Sequence, residues 1–106
     1  MNERRVTRSS TPHEAVSLYF SSLCRKPGVR AVALATVDGT LVAGAGNGDV
    51  EWMGAVGASS HLARLDWDGQ PLHVSRLEVN AVEMCLCVAG AEVSDAVPAV
   101  RRIFSA

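Results

Sequence analysis

The chain has 106 residues, of which 48% are hydrophobic and 20% charged, with a formal net charge of −1. That length supports one hydrophobic core and not two. The near-neutral balance gives no general electrostatic case for nucleic acid, and no apolar run approaches the roughly 18 residues that a membrane helix needs, so neither nucleic acid nor membrane insertion is expected.

The N-terminal MNERRVTRSST has arginines but no apolar segment behind them, so it does not read as a secretory signal. Residues 1–10 read as a disordered tail and 11–106 as the folded domain. Cys24, Cys85 and Cys87 are odd in number, with no histidine at zinc-ligand spacing. This pattern suits buried free thiols in a reducing cytoplasm better than a disulfide framework.

Thr11-Pro12-His13-Glu14 predicts a helix start. Thr11 can cap, proline fits the first helical position and Glu14 can close a capping box. Val16, Phe20, Leu23 and Cys24 then share one face, and Pro27-Gly28 ends the helix. The next stretch, RAVALATVDGTLVAGAG over residues 30–46, predicts a hairpin. Ala31 to Val37 and Leu41 to Ala43 are its strands, and Asp38-Gly39 suits a two-residue type I′ turn. Val32, Leu34 and Thr36 alternate with Ala31, Ala33, Ala35 and Val37, so neither face is polar and helices are expected on both sides. The alanine face permits close approach; the Val/Leu face suits a bulkier partner.

Gly44-Ala45-Gly46-Asn47-Gly48 invites a phosphate-loop reading, which the next residues exclude. Asp49-Val50 stands where a Walker A loop needs Lys-Ser/Thr, and Asp49 also breaks the dinucleotide pattern. Asp49 fits better as the cap of a second helix, predicted from about Val50 to Leu65. On that helix Trp52, Val56, Ser59 and Ala63 are expected to meet the sheet. The opposite, small-residue face carries Val50, Gly54, Gly57, His61 and Leu65, with Ala58 alongside. Glycine weakens a helix interior by about 1 kcal/mol relative to alanine, so two glycines on one face suggest close packing against a second copy of the helix. The expected dimer interface is therefore Val50, Gly54, Gly57, Ala58, His61 and Leu65.

Asp66 to Pro71 reads as a loop, Leu72 to Val79 and Ala81 to Ala89 as strands, and Ser94 to Phe104 as a last helix capped by Ser94. Cys85 and Cys87 share a strand face, but a C-x-C pair supplies only two of the four ligands zinc wants, so no metal or other cofactor is expected. His13, His61 and His73 fall on separate elements, and no acid–base set assembles from them; a Cys85 nucleophile with His73 as base is a catalytic pairing the adjacent strands allow. The chain is expected not to be an enzyme.

The order helix, hairpin, helix, strands, helix resembles the roadblock/dynein light chain family in its small bacterial-type, single-domain form. VALATVDGTLVAGAG, entered through Pro27-Gly28-Val29, carries the resemblance, together with the acidic helix start Asp49-Val50-Glu51 and the small-residue second helix. The family places three strands between its second and third helices, whereas Pro71 to Glu92 has room for two. The expected fold is α+β: a single antiparallel sheet of four or five strands between helices. The resemblance implies a non-catalytic cytoplasmic homodimer, an adaptor or regulator whose partner is a Ras-like small GTPase. It does not single out Arg64, Arg101 or Arg102 as an arginine finger. The alternative is a small-molecule-sensing module of longin- or profilin-like build, with its pocket between the sheet and the helix Pro12 to Arg25.

Overall fold

Thr11 caps the first helix as its sequence predicts: its hydroxyl accepts the Glu14 N–H at 3.1 Å, and Pro12 opens the helix proper. A computed structural model describes residues 11–105; the tail expected over residues 1–10 lies outside them. The elements run α1 (Pro12–Leu23), β1 (Val29–Thr36), β2 (Leu41–Gly46), α2 (Val50–Ser59), β3 (Arg64–Trp67), β4 (Gln70–Val79), β5 (Val82–Gly90) and α3 (Ala96–Ser105). The strands form one antiparallel sheet in the order β2-β1-β5-β4-β3. This is the expected α+β fold, with five strands.

The alternation along β1 sorts the two faces. Val32 and Leu34 join Met84, Leu86 and Val88 of β5 under α1 and α3, which contribute Val16, Phe20, Leu23, Ala96 and Val100. Ala31 and Ala33 point the other way, with Cys85, Cys87 and Ala89, toward Met53 and Ala58 of α2. Bulky helices cover the bulky face and the small helix covers the alanine face, as the β1 pattern anticipates. β4 serves both: Leu72 and Val74 belong to the α2 side, and Leu77 and Val79 to the other.

Four details differ from the sequence reading. The glycine run is not all loop, since Gly44 and Gly46 pair with Ala33 and Ala31 of β1. The last helix starts at Ala96 rather than Ser94. The Asp38-Gly39 turn is a three-residue loop: Thr36 N–H donates to Thr40 C=O at 2.9 Å, and Gly39, at φ 92°, forms the bulge. The type I′ turn falls at the other Asp-Gly pair, where Asp68 (φ 53°) and Gly69 (φ 81°) join Trp67 to its partner Gln70.

The fourth difference concerns the third strand. The helix predicted to reach Leu65 stops at Ser59. Ser60 takes an extended conformation and its hydroxyl accepts the Leu62 N–H, a local bond that competes with helix. Beyond it, Leu65 and Trp67 alternate with Arg64 and Asp66, a period of two, and the segment pairs with β4 from Arg64↔His73 to Trp67↔Gln70. The stretch Leu72 to Val79 is therefore interior over its first half, between β5 and β3, and only its second half lies at the sheet edge among the described strands.

Candidate functional site

The residues expected to meet a second copy lie elsewhere. Gly54 and Gly57 are buried against the chain's own sheet. A Cβ on Gly54 would stand 3.2 Å from the Ala35 methyl, and one on Gly57 would stand 2.2 Å from Cys87 Sγ. Val50 packs over Gly44, and Ala58 is buried beside the glycines. His61 is exposed beyond the helix end, and Leu65 is half-buried on β3. The face expected on the sheet points to water instead: Trp52 is 59% exposed and Ser59 is exposed. The physical reason is a match of sizes. β1 and β5 offer alanines and cysteines on this side, and the smallest face of α2 lets its backbone sit closest to them.

Arg76, which the sequence reading passed over, fixes where α2 ends. From β4 its guanidinium donates to the Ala58 carbonyl at 3.2 Å and the Ser60 carbonyl at 2.6 Å, placing a cation at the negative end of the helix. A third bond, at 3.1 Å, reaches Cys85 Sγ. Burial pushes the Cys85 thiol up, and the nearby Arg76 charge works against that shift. Cys87 is pushed up to about 12, first by burial and then by the neighbouring Cys85. Both are neutral thiols at physiological pH, poor nucleophiles in this setting.

His73 cannot serve Cys85. It alternates with Leu72 and Val74 and so stands on the opposite face of the sheet, where its Nε2 lies 3.0 Å from the Gly90 carbonyl. All three cysteines are free. Among the described residues no three His, Cys, Asp or Glu side chains converge as metal ligands, and no helix is long and apolar enough to cross a membrane.

Two features of the α2 side remain open. α2 lies over β2, β1 and β5, so among the described residues no helix lies over the half of that face formed by β4 and β3, and Leu65 and Trp67 are half-buried there. That half ends at β3, whose outer edge pairs with none of the described strands. The Val74 N–H donates to the Ala63 carbonyl at 2.8 Å. Backbone groups alternate sides along a strand, so Leu65 and Trp67 turn theirs toward β4. Arg64 and Asp66 turn theirs outward, away from the described strands. Alternating charge was visible in the sequence here, hidden by the helical reading of Arg64 and Leu65.

The alternative reading places a small-molecule pocket under the first helix. Val16, Phe20 and Leu23 fill that layer at 1% exposure or less. A cleft of about 390 Å³ opens on the α2 side instead, between the Asn47–Asp49 loop and Trp67. No family model matches the chain, and no curated protein matches it.

Proposed function

We propose that this chain is a non-catalytic homodimeric adaptor whose two copies join through the β3 edge. One observation carries the reading: a half-covered sheet face runs out to β3, whose outer edge pairs with none of the described strands and whose charges complement themselves. If two copies of β3 pair antiparallel about a two-fold axis at Leu65, Arg64 of each lies opposite Asp66 of the other. These are the two residues whose backbone groups point outward, so each Arg64–Asp66 pair exchanges both of its hydrogen bonds. Opposite charges directly across a strand pair favour that register by about 0.2–1 kcal/mol each. The Leu65 side chains meet on the other face. The axis is perpendicular to the sheet, so both α2 helices stand on the same side, and each flanks the open half of the joined surface. A small domain gains a larger shared core in this way, and an edge that would otherwise template aggregation is closed.

The partner class comes from the resemblance to roadblock proteins: a Ras-like small GTPase, bound and positioned by the dimer in the cytoplasm. The exposed Trp52 on the outer face of α2 supports an interaction role, since large exposed aromatics favour interfaces.

Sedimentation velocity on charge variants tests the dimer. Arg64→Asp sets two acids opposite each other in both symmetry-related pairs and weakens the dimer about tenfold. The double variant Arg64→Asp/Asp66→Arg restores opposite charges and returns the wild-type constant. A monomer at micromolar concentration, or a dimer indifferent to Arg64→Asp, refutes the edge pairing. Titration of a purified Ras-like GTPase from the same genome, in GDP and GTP-analogue states, tests the partner; binding to neither state by the intact dimer refutes it.

A further inference from the structure

We propose that the cleft beside Trp67 binds a small zwitterion of the α-amino-acid type. The cleft has a structural origin. Across the lower part of the sheet the paired residues run Gly46, Ala31, Ala89, Leu72. Side-chain height therefore steps from nothing, through two methyl groups, to a leucine. The two alanines lie at the base of the cleft and are themselves 2% and 1% exposed, so almost none of their surface is open. Trp67 stands on one side of the cleft and the Asn47–Asp49 loop on the other. The volume of about 390 Å³ lies within the roughly 300–1,000 Å³ range of small-molecule sites.

The charges lining it decide the ligand class. Among the lining residues Arg30 is cationic, and Asp49 and Asp68 are anionic. One Asp49 oxygen already accepts the Trp52 N–H at 3.0 Å, which holds that residue in place as the helix cap. A simple anion satisfies Arg30 but meets two acids; a simple cation satisfies the acids but meets Arg30. A ligand carrying both charges on one carbon complements both. Its carboxylate belongs with Arg30, its ammonium with Asp68, and an apolar side chain belongs against Trp67. Amide side chains of Asn47 and Gln70 complete the rim with groups that donate and accept. One copy of the chain supplies every lining residue, so the inference stands apart from the dimer.

Isothermal titration calorimetry with L-leucine, N-acetyl-L-leucine and L-leucinamide tests it, with L-phenylalanine as a second apolar probe. L-leucine or L-phenylalanine binds, and removing either charge from leucine weakens binding at least about tenfold, the scale of a charged hydrogen bond. In Arg30→Ala the difference between leucine and leucinamide collapses. In Asp68→Asn, a change the left-handed turn position tolerates, the difference between leucine and N-acetyl-leucine collapses. No heat from either amino acid up to about 10 mM with folded protein overturns the proposal. So does equal binding of the three leucine compounds, or an unchanged leucine affinity in Arg30→Ala.

Discussion

The two faces of the sheet solve the same burial problem with different side chains. On one, α1 and α3 bury Phe20, Leu23, Leu34 and Leu86 in a layer of large groups. On the other, α2 lays glycines on alanines and a cysteine. Large side chains stabilise by the apolar area they remove from water, and several neighbours share any one loss. Small ones stabilise by closeness of backbones, so the layer has little volume to lose and no room to gain. The first face should be sensitive to deletion, the second to addition.

The largest effect expected is on the first face. Phe20, fully buried between α1 and the sheet, should lose about 3–5 kcal/mol on replacement by alanine, the range for removing a core aromatic ring. Urea unfolding monitored by circular dichroism reads this directly. A loss below 1 kcal/mol would mean that the α1 layer collapses freely and that the contrast between the faces is false.

Addition should hurt the second face. Gly57→Ala puts a methyl 2.2 Å from Cys87 Sγ, a separation that forces the thiol aside. Overpacking costs about 1–3 kcal/mol and exceeds the ~1 kcal/mol that alanine gains in helix propensity. Removing the sulfur should reverse the sign. The Cys87 Cβ is 3.7 Å from the new methyl, an ordinary contact, so Gly57→Ala in a Cys87→Ala background should be neutral or stabilising. The double-mutant cycle measures that coupling. Additive effects would show that α2 rides on the sheet without touching Cys87.

This face also marks where sequence reasoning stopped. The period-two pattern of β1 predicted both layers and their relative bulk, and Thr11 and Asp49 announced two helix starts that the structure keeps. The glycines of α2 were read as wanting close approach, which was right, but a second chain was made the neighbour when Ala33, Ala35 and Cys87 were already available. Hydrophobicity ranking misled: tryptophan was assigned to the sheet because it is large and apolar, yet a floor of alanines accepts the smallest face of a helix. β3 was lost because Ala63 and Leu65 were read as continuing the two faces of the second helix, and a four-residue strand offers too few repeats to outvote it. Arg76 had no local signal at all, since its contacts with Ala58 and Ser60 exist only once β4 lies beside the end of α2.

The smallest effect expected uses pH to separate the faces. Cys87 sits in the tight layer, and burial, reinforced by Cys85, pushes its thiol up to about 12 while Arg76 opposes the shift. In the unfolded chain the same thiol ionises near its ordinary value of about 8.5. The folded state therefore holds the proton to higher pH than the unfolded state does. The stability this represents is complete below about 8.5 and drains away as pH climbs toward about 12, at no more than about 1.4 kcal/mol per pH unit. Urea midpoints measured from pH 7.5 to 10.5, values chosen to span about half of that window, should fall for the native protein and fall less steeply for Cys87→Ala. Cys24, half-buried in the large-residue layer and also raised by burial, provides the control. Cys24→Ala should leave most of the native slope, because water reaches that thiol and the penalty for charging it is smaller. If the two variants flatten the profile equally, the glycine–alanine layer is no tighter around its sulfur than the aromatic layer is, and the distinction between the faces fails at the thiols they share.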